Sequence, residues 1–121
     1  MKKVFVIHAE DGVSFGEEAL EEITLEYLQE KVGGWVQAVP MIGELSGLTL
    51  WVNEEGKFSD LPLNELATAV WELSYGETDF IVGNAILTAG EGYDGETLGL
   101  TSEQLDTIME VVETAMAHTS N

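Results

Sequence analysis

Charge constrains this chain more than any other feature. Its 121 residues carry 23 Asp and Glu against 4 Lys and Arg, a formal charge of -19. All four cations are lysines, Lys2, Lys3, Lys31 and Lys57. Self-repulsion on that scale opposes a compact state. A fold must therefore hold its carboxylates in water and bury its apolar residues, 45% of the chain, which suffice for a core. The length suits one domain spanning 1–121.

The same charge excludes classes of partner. Nucleic-acid binding needs Lys and Arg to neutralise phosphates, so direct nucleic-acid contact is not expected. Docking on an anionic membrane fails for the same reason. Basic proteins and cations are favoured by long-range steering. With no cysteine there is no disulfide, thiolate metal site or cysteine nucleophile. The apolar run after Lys2 and Lys3 ends at Glu10, too short for a signal sequence or a membrane span. A cytoplasmic protein is expected.

Hydrophobic spacing outlines the elements. Val4–Ile7 reads as a buried strand, followed by a turn at Asp11-Gly12. From Glu17 to Lys31, Leu20, Ile23, Tyr27 and Leu28 recur at helical spacing, so this stretch is expected to form an amphipathic helix. It starts either near Glu17 or at a Thr24 N-cap, and it stops at Gly33-Gly34. Trp35–Met41 reads as a strand that Pro40 confines to an edge, and Leu48–Val52 as another. A hairpin turn over Asn53–Gly56 sends Lys57-Phe58 back. Asn64 should cap a helix over Glu65–Leu73 that buries Leu66, Ala67, Val70 and Trp71. Asp79–Thr88 reads as the strongest strand, with Gly83 a candidate bulge. The segment from Ala89 to Leu98 reads as a loop or hairpin. Thr101–Gln104 matches a capping box ahead of a C-terminal helix built on Leu105, Ile108, Met109, Val112, Ala115 and Met116. His118–Asn121 reads as a fraying tail. The expected fold is α+β: a small, mixed, largely antiparallel sheet of four or five strands with two or three helices packed on it.

Four segments in order, Leu28–Pro40 (LQEKVGGWVQAVP), Leu48–Lys57 (LTLWVNEEGK), Leu61–Thr68 (LPLNELAT) and Ile81–Ala85 (IVGNA), carry a resemblance. Together they resemble an uncharacterised family of small proteins from bacteriophages, actinobacterial plasmids and related bacterial mobile elements. The resemblance spans residues 25–101, and Leu63 stands where such proteins often have a second proline. It implies an accessory protein of a phage or mobile element in a bacterial cytoplasm, and it carries no catalytic residues. The acidic stretch Glu17–Glu22 and the C-terminal helix lie outside the shared segments.

Enzymatic signatures are sparse. His8 has Glu10 and Asp11 nearby, a pairing capable of acid–base work, yet no nucleophile stands close in sequence and a surface histidine at a strand end explains it. None of the phosphate-loop, dinucleotide, zincin or nucleophile-elbow patterns occurs. Gly90–Glu96 places three carboxylates on one loop but lacks the EF-hand spacing, so it reads as an acidic hairpin loop. Trp35, Trp51 and Trp71 are assigned to the core. The chain is therefore expected to be non-enzymatic and to need no cofactor.

The acids themselves are the candidate binding residues. Glu18, Glu22, Glu26 and Glu30 recur every four residues and would form one stripe on a continuous helix, with Glu17 and Glu21 beside it. Glu103, Asp106, Glu110 and Glu113 line the last helix. A solvated face that maintains solubility is the plain explanation. Adaptation to high salt fits poorly, because Glu outnumbers Asp 18 to 5. The functional expectation is an acidic, DNA-mimic-like binder of a basic or DNA-binding host protein. The alternative is a small-molecule binding or sequestering module. A homodimer through the edge at Trp35–Met41 is compatible with both.

Overall fold

The computed structural model describes residues 1–9, 14–55 and 60–119, the side chains of 118 and 119 excepted. The Asp11-Gly12 turn, the carboxylates of Glu10 and Asp11, the turn residue Gly56, the Lys57-Phe58 return and the end of the C-terminal tail lie outside these residues.

Five strands form one antiparallel sheet. They are β1 (Lys2–His8), β2 (Ser14–Leu20), β3 (Val36–Pro40), β4 (Leu48–Asn53) and β5 (Ala85–Ala89), in the order β2-β1-β5-β4-β3. Three helices cover it: α1 (Leu25–Val32), α2 (Glu65–Tyr75) and α3 (Ser102–Thr119). The α+β expectation holds.

Alternation along the strands creates two cores. Phe5, Ile7, Leu50, Ala85 and Leu87 face one way and pack with Leu66, Val70, Leu105, Ile108 and Val112 of α2 and α3. Val4, Val6 and Ile86 face the other way and pack with Ile23, Leu28 and Val32 at α1. Central strands covered on both faces are near-continuously apolar. That cover leaves Val4–Ile7 and Ala85–Ala89 buried throughout. The polar exception, Thr88, is buried with its hydroxyl accepting the Trp51 indole N–H and donating to the Ala89 carbonyl.

The helix ends follow local rules. Thr24 caps α1 by accepting from the Tyr27 N–H, and Gly33, at φ 83°, ends it in the left-handed conformation that glycine tolerates. Thr101 and Gln104 form a reciprocal capping box at 3.1 and 2.8 Å. Asn64 caps α2 through the Ala67 N–H, and its amide also donates to the carbonyls of Ile7 and Gly83 at 3.0 and 2.9 Å. One buried side chain thus ties α2 to β1 and to the approach of β5.

One expectation is decided and two are corrected. Of the two starts expected for the helix within Glu17–Lys31, the Thr24 cap is the one found, and the stretch ahead of it belongs to an edge strand, Ser14–Leu20, and a bend. The strand expected from Asp79 begins only at Ala85. Gly83, at φ 75°, bends the chain there, and the residues before it bond to the approach of α2, Asn64 N–H to the Ile81 carbonyl and Gly83 N–H to that of Pro62. Trp35 is not a core residue but 65% exposed, at the corner between the α1 cap and β3. Trp51 and Trp71 are half-buried, and their indole N–H groups donate to Thr88 and Thr78.

Candidate functional site

The ten candidate acids divide into three groups. Glu17 and Glu18 are consecutive on β2, so their side chains leave opposite faces of the sheet. Each meets a lysine from another element. Lys3 approaches Glu17 at 3.3 Å, and Lys31 of α1 approaches Glu18 at 2.8 Å. Glu22, in the bend after β2, pairs with Lys2 at 2.6 Å. Two of the four acids expected on the stripe, Glu18 and Glu22, and Glu17 beside it are therefore held by three of the four lysines.

Glu18 is the most embedded of these. Besides Lys31 it accepts the Tyr27 hydroxyl at 2.6 Å. Burial pushes its carboxyl pKa up, but the hydrogen bonds from Lys31 and Tyr27 and the positive charge near it outweigh that, and the net shift is downward. Burial first, then Glu18 itself, raises the Tyr27 phenol well above its ordinary range. Glu18, Tyr27 and Lys31 clamp the edge strand to α1. This is structural bonding, not an open acidic surface.

Glu26 and Glu30 are exposed on α1, and Glu21 is exposed in the bend before it. Because α1 and α3 cover opposite faces of the sheet, these acids cannot join those of α3 in one surface. The expected stripe through Glu18, Glu22, Glu26 and Glu30 is broken by the strand–bend–helix path.

The α3 group remains intact. Glu103, Asp106, Glu110 and Glu113 are all exposed at steps of three, four and three residues. At about 100° per residue they fall within an arc of about 80° and extend about 15 Å along the axis. Leu105, Ile108, Val111, Val112 and Ala115 occupy the opposite, buried side. No lysine or arginine occurs in α3. The result is a straight ridge of carboxylates with no cation on its helix.

Two further features bear on binding. A cleft of about 370 Å³ opens between β3, β4, α2 and the segment 79–82, with Gln37, Val39, Val52, Glu54, Trp71 and Ile81 among its lining residues. It was missed from sequence because its walls come from four separate segments, and Trp71 alone signalled it. The edge at β3 is the second. Trp35 O and Met41 N bond inward to β4, so by ladder alternation Val36, Ala38 and Pro40 direct their backbone groups outward. Pro40 has no N–H, and its carbonyl accepts the Tyr75 hydroxyl. Only Val36 and Ala38 keep both backbone groups for a second chain.

His8 closes β1 and is half-buried. Glu91 and Thr97 bridge across the Gly90–Glu96 loop, giving it a hairpin form. Among the described residues, no three His, Asp or Glu side chains come together as a metal-holding group. None of the described helices is long and apolar enough to cross a membrane.

A family model described as a domain of unknown function, DUF3846, matches residues 1–113. The chain belongs to this family. No curated protein and no solved structure matches it. The extent of the DUF3846 match overturns one expectation. Glu17–Glu22 and α3 as far as Glu113 lie inside the family domain, not outside it. β2 supplies the physical reason: it is an integral edge strand of the sheet, and α3 supplies much of one core, so neither can be an addition to the fold.

Proposed function

We propose that this DUF3846 protein is a non-enzymatic acidic binding protein of a phage or mobile element, acting in a bacterial cytoplasm on a basic, DNA-binding host protein. The observation that carries this reading is the α3 ridge, four exposed carboxylates along about 15 Å with no lysine on the helix. Solubility needs only scattered charge. Aligned charge gives a basic groove repeated contacts and steers its approach. The motifs in Leu28–Pro40, Leu48–Lys57, Leu61–Thr68 and Ile81–Ala85 support the mobile-element setting.

Capture from bacterial lysate at low salt, with and without excess duplex DNA, tests the reading. The expected result is retention of a DNA-binding protein that DNA displaces and that near-molar salt releases, where the Debye length falls to about 3 Å. Retention of nothing, or only of proteins indifferent to DNA and salt, refutes it.

The cleft beside β3 and β4 favours a second reading, a small-molecule binding module, because about 370 Å³ lies within the range of small-ligand sites.

A further inference from the structure

The chemistry of that cleft narrows what it would hold. Val39, Val52 and Ile81 are buried apolar residues, and the indole of Trp71 joins them. Trp71 is fixed by its N–H bond to Thr78 and by Tyr75, whose ring lies 4.6 Å away. Asn53 also borders the cleft, but its side chain is spent on the Val32 carbonyl and the Glu55 N–H. Two exposed polar side chains, those of Gln37 and Glu54, have no protein partner among the described residues. No described lining residue is basic. Among the described residues, an anion would therefore meet a carboxylate and no lining cation to offset it, in a chain of net charge -19.

We propose that the cleft takes a small organic cation, an ammonium or guanidinium carried on an apolar stem. The charge meets the Glu54 carboxylate and the Gln37 amide oxygen. The stem lies on Val39, Val52 and Ile81. Trp71 adds attraction, since tryptophan is the strongest aromatic partner for a cation. This inference rests on the small-molecule reading and is independent of the α3 ridge. A free amine and a Lys or Arg side chain of another protein present the same chemistry.

Isothermal titration tests it with agmatine, phenethylamine, the neutral phenethyl alcohol, phenylacetate and an end-blocked tripeptide with a central arginine. The two amines should bind saturably, the alcohol at least about tenfold more weakly, and phenylacetate not at all. Glu54→Gln should weaken the amines about tenfold and leave the alcohol unchanged. Gln37→Arg, at an exposed edge position, should abolish amine binding while circular dichroism shows a folded protein. Tighter binding of the tripeptide than of agmatine assigns the cleft to a protein side chain, and the reverse order to a free amine. Equal binding of amine and alcohol would overturn the charge inference while leaving a small-molecule site. No saturable binding by any probe at millimolar concentration would overturn both.

Discussion

Asn64 provides the sharpest test of how α2 is joined to β1 and to the approach of β5. Its side chain is 2% exposed and makes three bonds: Oδ1 accepts the Ala67 N–H, and Nδ2 donates to the carbonyls of Ile7 and Gly83. Asn64→Ala removes an N-cap, worth about 1 kcal/mol. It also deprives two carbonyls of a donor in a buried site, at about 1 kcal/mol or more each. The expected loss is about 3 kcal/mol or more, a large part of the roughly 6–18 kcal/mol that a domain of this size has in total. Asn64→Asp separates the cap from the knot. At an ordinary N-cap, Asp serves about as well as Asn. Here the carboxylate keeps the cap but faces two carbonyl oxygens with nothing to donate. Urea unfolding at neutral pH should therefore find Asn64→Asp at least as unstable as Asn64→Ala. Part of that loss should be recovered as acidification protonates the introduced group. A stability for Asn64→Asp within about 0.5 kcal/mol of the parent, the range of ordinary surface substitutions, would refute the reasoning.

Other substitutions probe separate elements. Glu18 has a lowered folded pKa, so its contribution is present above the ordinary carboxyl value of 4.5 and is lost as pH falls through the folded value. Glu18→Gln should thus destabilise at neutral pH, and its gap from the parent should close in acid-unfolding curves below pH 4.5. Trp35→Ala should change stability by less than about 0.5 kcal/mol in urea unfolding, because the side chain is 65% exposed. Gly83→Ala should cost more than about 1 kcal/mol by the same assay. Its φ of 75° suits glycine, and an added Cβ would lie 2.9 Å from Leu61 Cδ1.

The caps and the buried strands were legible because their signals are local. Thr24, Asn64 and Thr101 each bond within three residues, and Val4–Ile7 is apolar at every position. β2 was hidden for the opposite reason. Its glutamates carry helical character in sequence, and what holds them in a strand is remote in the chain, the ladder to β1, with Lys3 and Lys31 pairing Glu17 and Glu18. The one available cue was Lys2 and Lys3 in a strand facing an acidic segment. Asp79–Thr88 misled in a similar way: Gly83 ends one pairing and starts another, and the partner of the first, Leu63, lies beyond a whole helix. Of the candidate acids, those on α3 were placed correctly because a capping box fixes that helix's phase. Glu26 and Glu30 do lie on α1, but Glu17, Glu18, Glu21 and Glu22 do not, because a stripe through all of them needs one continuous helix.

The ridge on α3 can be tested by neutralising it without altering its shape. Glu103→Gln, Asp106→Asn, Glu110→Gln and Glu113→Gln combined replace four exposed carboxylates by amides of the same size. Titration of this variant and the parent against the DNA-binding protein captured from lysate, over a series of salt concentrations, reads the effect directly. At a few tenths of a kcal/mol to 1 kcal/mol for each exposed pair, the variant should bind about tenfold or more weakly, with a flatter salt dependence. Equal affinity and equal salt dependence for the two proteins would contradict the ridge as the binding surface.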